Sequence, residues 1–475
     1  MASAEKVTYT ICQGAGCHEQ CVLKVVSKDG KVVRTERPIF KGSKKDLASL
    51  CQKGICAGKL NYVPERLLYP LKRVGKRGEG KFERIPWDQA LEEIGQKLRD
   101  IRAKYGDASL VVNAFPCGLP LNMHGSLTMA LCYRFMNLSG ASFWQPPLDM
   151  EGFQSNLVDF GNMNLAMQMN SSYWSRHRPN YVLIWGGNPI GWARAAHTSK
   201  MFMDIQEQGT KLVDIGLIFD STAAKCDEFI NINPGTDAAL ALAMANIIIQ
   251  DKRYDIDFLN TYTVAPFLVR VDNGMFLRKR DIVAEAAVDE RHERVWDSSS
   301  NGFYLKDATA IAATTAEGNK YVAWDAQAQE PVFIAARDND MEGKTPDIHA
   351  EVVVEGIACK TAFIMLKESL AGWTPEKQAE TTGVSAETCR QIINDYLDNS
   401  PSGLFTYWGL RYVNAGQTLR AINLLAILSG NLGQKNGRLI NCGDTTGYTV
   451  PLDGEIFLPD GDISKVKSHL IHLTD

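Results

Sequence analysis

Apolar residues recur along the chain with the two periods that mark regular secondary structure. Their spacing after residue 87 predicts a helix over about 88–104 that Asp88 caps. Residues 180–185 and 211–215 have the length and composition of buried strands, and residues 192–208 between them have a helical pattern. This β-α-β order predicts a parallel sheet that binds its ligand at the carboxyl ends of the strands.

A glycine-containing turn precedes the most apolar helical stretch of the chain. Asn233-Pro-Gly-Thr-Asp237 stands directly before an apolar helix over 238–250, so either Thr236 or Asp237 can cap it. The free N–H groups of its first turn can face an anion, or the segment can be a capped core helix without a ligand. Further helical patterns cover residues 360–370, 386–397 and 419–428.

The stretch 263–355 has a different texture. Residues 267–271 and 275–278 alternate with period two around Asp272-Asn273-Gly274, which predicts a hairpin. Residues 321–324 and 332–334 form a second such pair. We therefore predict a β-rich insertion on the surface or facing a partner.

Composition excludes several classes of protein. With 51 Lys+Arg against 55 Asp+Glu the formal net charge is −4, and no concentrated positive field is available for nucleic acid. The longest apolar run is shorter than the roughly 18–20 residues that cross a bilayer, so we predict no direct membrane insertion. No export signal is visible at the start, and seven of the 11 cysteines stand singly. Both features predict a reducing, cytoplasmic location.

The other four cysteines carry the strongest chemical signal. Cys12, Cys17 and Cys21 lie on one glycine-containing loop, and Cys51 follows after 29 residues. Three thiolates on a loop with a distant fourth suit a [4Fe–4S] cluster, in which each of four irons takes one soft ligand.

Zinc is the alternative. Cys12-x4-Cys17 and Cys51-x4-Cys56 form two matched pairs that can supply four thiolates to one tetrahedral ion. This assignment leaves Cys21 without a role, which favours the iron–sulfur cluster.

Together these patterns predict an α/β protein with a small β-rich iron–sulfur domain, followed by Rossmann-like parallel α/β domains with a β-rich insertion. The predicted divisions are a cluster domain at 1–62, an α/β domain formed by 63–178 and 356–475, a Rossmann-like domain at 179–262 and the insertion at 263–355.

Several stretches in this order resemble the molybdopterin oxidoreductases of the dimethyl sulfoxide reductase family. The similarity extends over most of the chain. Besides the cysteine loop and Cys51-x-Lys53-Gly54, it comprises residues 64–75, 82–91, 187–189, 233–240, 373–376, 382–384 and 428–433.

The resemblance implies a [4Fe–4S] cluster and a molybdenum or tungsten ion held by two molybdopterin guanine dinucleotides. Lys53 matches the family's lysine between cluster and pterin, with a surface lysine as the alternative interpretation. The positions that match the family's pterin dinucleotide contacts are Gly187, Asn188, Pro189, Asp214, Pro234, Gly235 and Asp237.

The chain departs from the family pattern in three places. The first cysteine gap is x4, where a shorter gap is commoner. Many members continue the strand at Asp214 with Asp-Pro-Arg, whereas this chain reads Asp-Ile-Gly-Leu-Ile-Phe-Asp220 and lacks an arginine for a phosphate. The position of the metal ligand carries no thiol; Glu151 lies nearest to it, with Asp149 as its neighbour, and either can instead be an exposed loop carboxylate.

Substrate chemistry is weakly specified. His124 and His177 are candidate proton carriers, although histidines in such stretches are more often structural. The chain looks most similar to the branch of catechol dehydroxylases, pyrogallol–phloroglucinol transhydroxylase and acetylene hydratase. This implies a two-electron reduction of a small molecule such as reductive dehydroxylation of a catechol, with hydratase or transhydroxylase chemistry as an alternative.

Length adds a further expectation. Catalytic chains of the family are usually longer and end in a β-barrel domain that is missing from this sequence, so we expect either a fragment of a longer chain or one half of a split enzyme whose other subunit supplies that domain. An electron-transfer partner protein is expected as well. Two other interpretations stay open, namely a non-catalytic electron-transfer or partial subunit and a zinc-stabilised binding protein.

Overall fold

The computed structural model describes residues 4–12, 21–38, 50–112, 134–144, 178–191, 196–284, 294–297, 302–305, 317–334, 343–406, 408–411, 413–431, 438–441 and 469–471. Within these ranges no helix combines the length and the apolar character needed to cross a membrane.

The strands fall into three stretches of the chain. The first contains β1 (Lys6–Ile11), β2 (Val22–Lys28), β3 (Lys31–Glu36), β4 (Leu71–Arg73), β5 (Phe82–Arg84), β6 (Val111–Val112) and β7 (Ser142–Trp144). The second contains β8 (Tyr181–Trp185), β9 (Lys211–Gly216), β10 (Glu228–Asn231), β11 (Leu268–Arg270), β12 (Arg294–Asp297), β13 (Gly302–Leu305), β14 (Tyr321–Asp325), β15 (Glu330–Ile334), β16 (Glu351–Val354) and β17 (Ile357–Thr361). The third contains β18 (Ser402–Thr406), β19 (Arg438–Asn441) and β20 (His469–Ile471).

The helices follow the apolar periodicity closely. They are α1 (Gln52–Cys56), α2 (Trp87–Tyr105), α3 (Ala196–Glu207), α4 (Asp237–Gln250), α5 (Ile256–Tyr262), α6 (Lys279–Ile282), α7 (Ala362–Leu370), α8 (Pro375–Thr382), α9 (Ala386–Asp398) and α10 (Ala415–Leu428).

The start of α2 corrects one prediction. Pro86 occupies the N-cap position, and Asp88 lies inside the first turn, so the predicted cap at Asp88 is wrong. A carboxylate in the first turn still favours the helix because it faces the positive end of the helix dipole. On the predicted apolar face Ala90 is buried, whereas Leu91 and Ile94 are 61% and 57% exposed.

Strands β1, β2 and β3 form an antiparallel sheet at the start of the chain. Asp29 and Gly30 connect β2 to β3, and both have positive φ angles, 50° and 75°. These angles belong to the turns that fit the twist of a hairpin.

The central sheet is parallel and has the strand order β10-β9-β8-β18-β19. Its presence confirms the predicted parallel α/β architecture. The chain adds strands to one side of β8 and later to the other, so the topological switch point lies between β8 and β18. In open parallel sheets this is the place where ligands bind, beyond the carboxyl ends of the strands.

Helices cover both faces of this sheet. On one face α4, α9 and α10 pack around a large apolar core that includes Val213, Leu404 and Ile422. On the other face α3 places Phe202 edge-on against Phe405, with ring centroids 5.1 Å apart. Every residue of β8 and β18 is buried, because both strands lie in the middle of the sheet.

The β-rich stretch contains antiparallel pairs, as predicted. β14 pairs with β15 across a four-residue turn, and β11 pairs with the bridge residue Phe276 after the turn at Asp272–Gly274. β17 lies beyond the predicted boundary at 355 and pairs with β11 and β16 inside it.

Strand pairing also connects the regions that we predicted as separate domains. β18 and β19 belong to the stretch 356–475, yet they lie in the sheet of the predicted Rossmann-like domain. β20 pairs in parallel with β7, which joins the two halves of the discontinuous α/β region. The boundaries of the four domains stay predictions.

Candidate functional site

Four loops meet at the carboxyl edge of the central sheet. They follow β8, β9, β10 and β18, and hydrogen bonds and close contacts hold them to one another. The loop after β8 contacts the loop after β18 through glycine: Gly409 N donates to Gly186 O at 2.7 Å. A Cβ on Gly409 would lie 2.3 Å from that oxygen, so only glycine permits this approach.

Asn188 connects the loop after β8 to the loop after β9. Its Oδ1 accepts from Thr222 Oγ1 at 2.7 Å and from Gly191 N at 2.8 Å. Thr222 Oγ1 in turn accepts from Ile190 N at 3.0 Å. Asn188 is therefore the centre of a hydrogen-bond network that connects the two loops. Gly187 and Pro189 are its neighbours in the loop after β8.

Asp214 lies inside the sheet near the end of β9. Only 2% of its surface is exposed, and its Oδ1 is buried without a hydrogen-bond partner among the described residues. Burial, reinforced by the charge of Asp220, raises the pKa of Asp214 to about 7. Such a buried oxygen lacks a donor, which a bound ligand with N–H or O–H groups can supply.

Asp237 stands at the start of α4 and faces the same edge. Trp185 Nε1, at the end of β8, donates to Asp237 Oδ1 at 2.9 Å. Burial raises the pKa of Asp237, and the hydrogen bond from Trp185 counteracts part of this shift.

The loop before Asp237 is anchored from behind. Asn233 N donates to Thr382 O at 2.8 Å, and Asn233 Nδ2 donates to Thr381 O at 3.0 Å. These bonds hold Pro234 and Gly235 at the sheet edge. Gly235 has a φ of 75° and lies against Val413, where a Cβ would be 3.2 Å from the valine side chain.

The N-terminal sheet brings three of the cysteines into one neighbourhood. Cys12 N donates to Cys21 O at 2.7 Å, which closes the base of the cysteine loop. Cys51 occupies the N-cap position of α1, and Gly54 in α1 lies beside Cys12: a Cβ there would be 3.7 Å from Cys12 Sγ. Lys53 is exposed on the same helix.

Thr35 fixes α1 to this sheet. Its buried Oγ1 donates to Gly54 O at 2.9 Å and to Ile55 O at 2.6 Å. The two carbonyls share one hydroxyl proton, so Thr35 satisfies backbone groups that a short helix leaves free.

The described thiols belong to both metal assignments, the cluster and zinc. In the part of the chain that the structure describes, no three Cys, His, Asp or Glu side chains converge on a single point suited to one metal ion. That part includes Cys12, Cys51 and Cys56, three of the four thiols that the zinc assignment requires. It also includes Cys12, Cys21 and Cys51, three of the four thiols that the cluster assignment requires, so this finding does not distinguish the two assignments.

Five predicted site residues lie outside the described residues. They are Cys17, His124, Asp149, Glu151 and His177. Their roles therefore stay predictions.

Sequence reasoning missed Trp185, Gly409 and Thr35. Gly409 follows the buried strand β18, as Gly186 follows the buried strand β8. A glycine after a buried strand could therefore have indicated from the sequence that Gly409 belongs to the site. Trp185 and Thr35 carry no local signal, since their roles depend on partners that lie 52 and 19 residues away.

Comparison with known proteins gives a consistent result. Residues 66–447 match the family described as "Molybdopterin oxidoreductase". The perchlorate reductase subunit alpha of Dechloromonas aromatica is 31% identical over 457 residues, which cover 89% of this chain and 45% of that subunit. The dopamine dehydroxylase of Eggerthella lenta is 24% identical, with 94% of this chain and 48% of that protein covered.

A solved structure shows the same fold. Acetylene hydratase from Pelobacter acetylenicus superimposes with a TM-score of 0.51 at 23% identity, over 90% of this chain and 44% of that chain. The chain thus spans less than half the length of the relatives named here.

Proposed function

The chain belongs to the molybdopterin oxidoreductase family, and from this premise we propose that it is the part of a molybdenum or tungsten enzyme that holds a [4Fe–4S] cluster and binds molybdopterin guanine dinucleotide. The observation that carries the proposal is the carboxyl edge of the central sheet. There, Asp214 presents a buried carboxylate oxygen for which the described residues supply no donor, beside loops that hydrogen bonds have already fixed in place.

The residues at this edge fit a dinucleotide. Guanine and ribose carry N–H and O–H donors, and Asp214 and Asp237 supply acceptors at the ends of neighbouring elements. Asn188 and Gly235 shape the loops without adding side-chain bulk at the edge. We assign cofactor binding to the seven positions named above, from Gly187 to Asp237.

The cysteines fit the cluster. We assign Cys12, Cys17, Cys21 and Cys51 as its ligands, since Cys12, Cys21 and the helix after Cys51 already meet in the structure. We propose that Lys53, two residues after Cys51, stabilises electrons that pass between cluster and pterin through its positive charge.

When bound, the pterin-held ion would exchange two electrons with the substrate, and the cluster would pass them on one at a time. We assign Glu151, with Asp149 as the alternative, as the carboxylate ligand of that ion, because oxygen donors suit an oxidised molybdenum or tungsten centre. His124 and His177 are the proposed proton donors.

We propose that the reaction removes oxygen from a small molecule. A catechol would be converted by Ar–OH + 2e⁻ + 2H⁺ → Ar–H + H₂O, and an oxyanion by XO₃⁻ + 2e⁻ + 2H⁺ → XO₂⁻ + H₂O. The sequence favours the catechol, and the similarity to a dopamine dehydroxylase supports it. The oxyanion is the second candidate, because perchlorate reductase is the more similar of these two relatives. Likeness to acetylene hydratase concerns the fold and supports no hydration chemistry.

Electrons must come from outside the chain. We propose an electron-transfer protein as donor, and a further polypeptide segment or subunit that completes the cofactor site. We place the chain in the cytoplasm on the basis of its dispersed cysteines.

The test begins with anaerobic purification and measurement of Fe, acid-labile sulfide, Zn, Mo and W on one sample. We expect about four irons per chain and Mo or W near one. The same sample is then reduced with a viologen dye and mixed with catechols, chlorate or nitrate, and dye oxidation is followed.

Each result bears on a different part of the proposal. Iron without Mo or W would indicate that the chain is a cluster-bearing electron-transfer subunit without a catalytic metal. Zinc without iron would overturn the cluster. A loaded protein that oxidises the dye with an oxyanion and with no catechol would replace the favoured substrate by the second candidate.

A further inference from the structure

A cavity of about 300 Å³ opens where α4, α8 and α9 meet. Its walls come from the stretches 246–251 of α4 and its cap, 374–376 at the start of α8, and Arg390 and Asn394 of α9. We call it the α4–α9 cavity. Because α4 has 14 residues, the cavity lies about 20 Å along this helix from Asp237 and the proposed cofactor edge. The proposed function gives these residues no role.

The floor of the cavity is a buried amide network. Asn246, 6% exposed, interrupts the apolar sequence of α4, and its Nδ2 donates to Trp373 O at 3.0 Å. Its Oδ1 therefore accepts, and it does so from Gln250 Nε2 at 3.3 Å. This order of bonds fixes the orientation of the Gln250 amide and leaves its Oε1 as an acceptor for which the described residues supply no donor.

The start of α8 already has its anion. Thr374 Oγ1 caps the helix by accepting from Lys377 N at 3.2 Å, and Pro375 at the first helical position has no N–H to satisfy. Glu376 in the first turn faces the positive end of the helix dipole and accepts from Arg390 Nη2 at 2.5 Å. The Arg390 guanidinium holds the pKa of that carboxyl below its usual range. Arg390 is thus already paired, and this end of the cavity needs no further anion.

The end of α4 has the opposite charge balance. Its last turn contains no basic residue, and Asp251 occupies the C-cap, where a carboxylate meets the negative end of the helix dipole. No described residue donates a hydrogen bond to the Asp251 carboxylate. Of the neighbouring cations, Lys252 does not line the cavity, and Arg253 donates to Asn394 and Asp398 instead. A cation bound here would therefore be favourable.

These groups select a cation on a short apolar stem. An ammonium or guanidinium group supplies donors for Asp251 and Gln250 Oε1 together with the missing positive charge. Ile247 and Pro375 are buried in the same wall and give a short alkyl chain an apolar surface to contact. A carboxylate or phosphate would meet Asp251 and Glu376, with only the paired Arg390 in return.

The shape of the site favours a small molecule over a partner protein. The lining residues that lie at its mouth are polar, and the one large aliphatic side chain among the lining residues, Ile247, is only 8% exposed. The core of a protein interface would instead present exposed apolar or aromatic side chains.

We propose that the α4–α9 cavity binds a small alkylamine or alkylguanidine, with the cation at Asp251 and Gln250 and the stem against Ile247. The inference goes beyond the proposed function and does not depend on the cluster or the metal cofactor, since none of these residues belongs to either proposed site.

The test is a titration followed at Ile247. The δ1 methyl groups of isoleucine are labelled with ¹³C, and the Ile247 signal is assigned by comparing methyl NMR spectra of wild type and Ile247→Val. The probe is n-butylammonium, and n-butanol and butyrate have a similar stem without the positive charge. We expect butylammonium to shift the Ile247 signal to saturation, and the other two compounds to leave it unchanged at the same concentrations.

Variants locate the cation. Asp251→Asn keeps the shape of the side chain and removes its charge, and should weaken butylammonium binding about tenfold. Gln250→Leu removes the second acceptor and should weaken it as well. The matched control is Glu380→Gln, since Glu380 is exposed on α8 and does not line the cavity. Binding to this control should equal that of wild type, and far-UV circular dichroism of each variant checks the fold.

Several outcomes would overturn the proposal. Equal shifts from butylammonium and n-butanol would show that the cavity does not select charge, and a preference for butyrate would place an anion at the start of α8. No saturable shift, or wild-type affinity in folded Asp251→Asn, would remove the cation site. Tighter binding of Nα-acetyl-lysine amide than of butylammonium would replace the small molecule by a side chain of a partner protein. Because the readout needs no bound metal, the Fe and Mo contents decide the proposed function separately.

Discussion

The indole N–H of Trp185 donates to Asp237 Oδ1 at 2.9 Å and so joins the end of β8 to the start of α4. Trp185 is fully buried, and Asp237 is the acidic residue in the first turn of α4. One hydrogen bond therefore orients a carboxylate toward the edge where we place the dinucleotide.

Trp185→Phe tests this connection. The change removes the donor and leaves a buried carboxylate with one partner fewer, so we expect the free energy of unfolding to fall by about 2–4 kcal/mol. Urea denaturation monitored by far-UV circular dichroism gives the value. Asp237→Asn, which retains an acceptor, should cost less, and the double variant should lose less than the sum of the two. Additive losses would show that the two side chains do not interact.

Asp214 should make stability depend on pH in the cofactor-free chain. Its pKa in the folded protein is about 7, above the ordinary value near 3.9, so the folded state favours the protonated form. The stability that this contributes is complete below about pH 4, falls as pH rises and is lost above about pH 7. The full difference is about 4 kcal/mol.

Asp214→Asn carries no titrating proton and should flatten this dependence. Urea midpoints at a series of pH values between 4.5 and 8.5 give the comparison. Parallel curves for wild type and variant would assign the pH dependence to other groups.

Gly409→Ala should disturb the switch point. The new methyl group would lie 2.3 Å from Gly186 O, a backbone atom that cannot move without shifting β8 or its loop. We expect a loss of about 1–3 kcal/mol of stability and reduced cofactor content. Gly95→Ala in α2 is the matched control, since its nearest neighbour is the flexible end of Arg99 at 3.4 Å. The same change there should stabilise the protein slightly, because alanine favours a helix. Unchanged stability of Gly409→Ala would mean that the two loops separate easily.

Thr35 should govern retention of the cluster. Thr35→Val keeps the shape of the side chain and removes the hydroxyl that the carbonyls of Gly54 and Ile55 accept from. We expect lower iron per chain and a loss of about 1–3 kcal/mol, since buried carbonyls are left unsatisfied. Thr35→Ser keeps the hydroxyl and should restore most of the iron. Equal iron in both variants would limit Thr35 to packing.

Cys21 and Cys56 distinguish the two metal assignments. The cluster uses Cys21 and leaves Cys56 free, whereas zinc uses Cys56 and leaves Cys21 free. We therefore expect Cys21→Ala to lose iron, visible absorption and the electron paramagnetic resonance signal of the reduced cluster, with Cys56→Ala close to wild type. The reverse pattern, accompanied by bound zinc, would reject the cluster.

Much of the secondary structure could be predicted because it depends on local sequence. The helix over 238–250, the strands around 181 and 211 and both hairpins of the β-rich stretch follow from periodicity and turn residues. The predicted cap at Asp88 was wrong because the N-cap position depends on where the backbone enters the helix. Hydrophobic periodicity does not locate a helix end to within two residues, which is the distance between Asp88 and the observed cap, Pro86.

The sequence by itself determined the cysteine spacing, the β-α-β order and the order of motifs that places the chain in its family, since all of these are properties of neighbouring residues. Only the tertiary structure decided that β18 joins β8 at the switch point, that Gly409 contacts Gly186 and that Asp214 is buried with no donor to its Oδ1 among the described residues. It also decided that Leu217, Ile218 and Phe219 stand exposed after the strand that carries Asp214. These relationships join residues far apart in the chain, and burial and contact arise only when the sheet has brought them together.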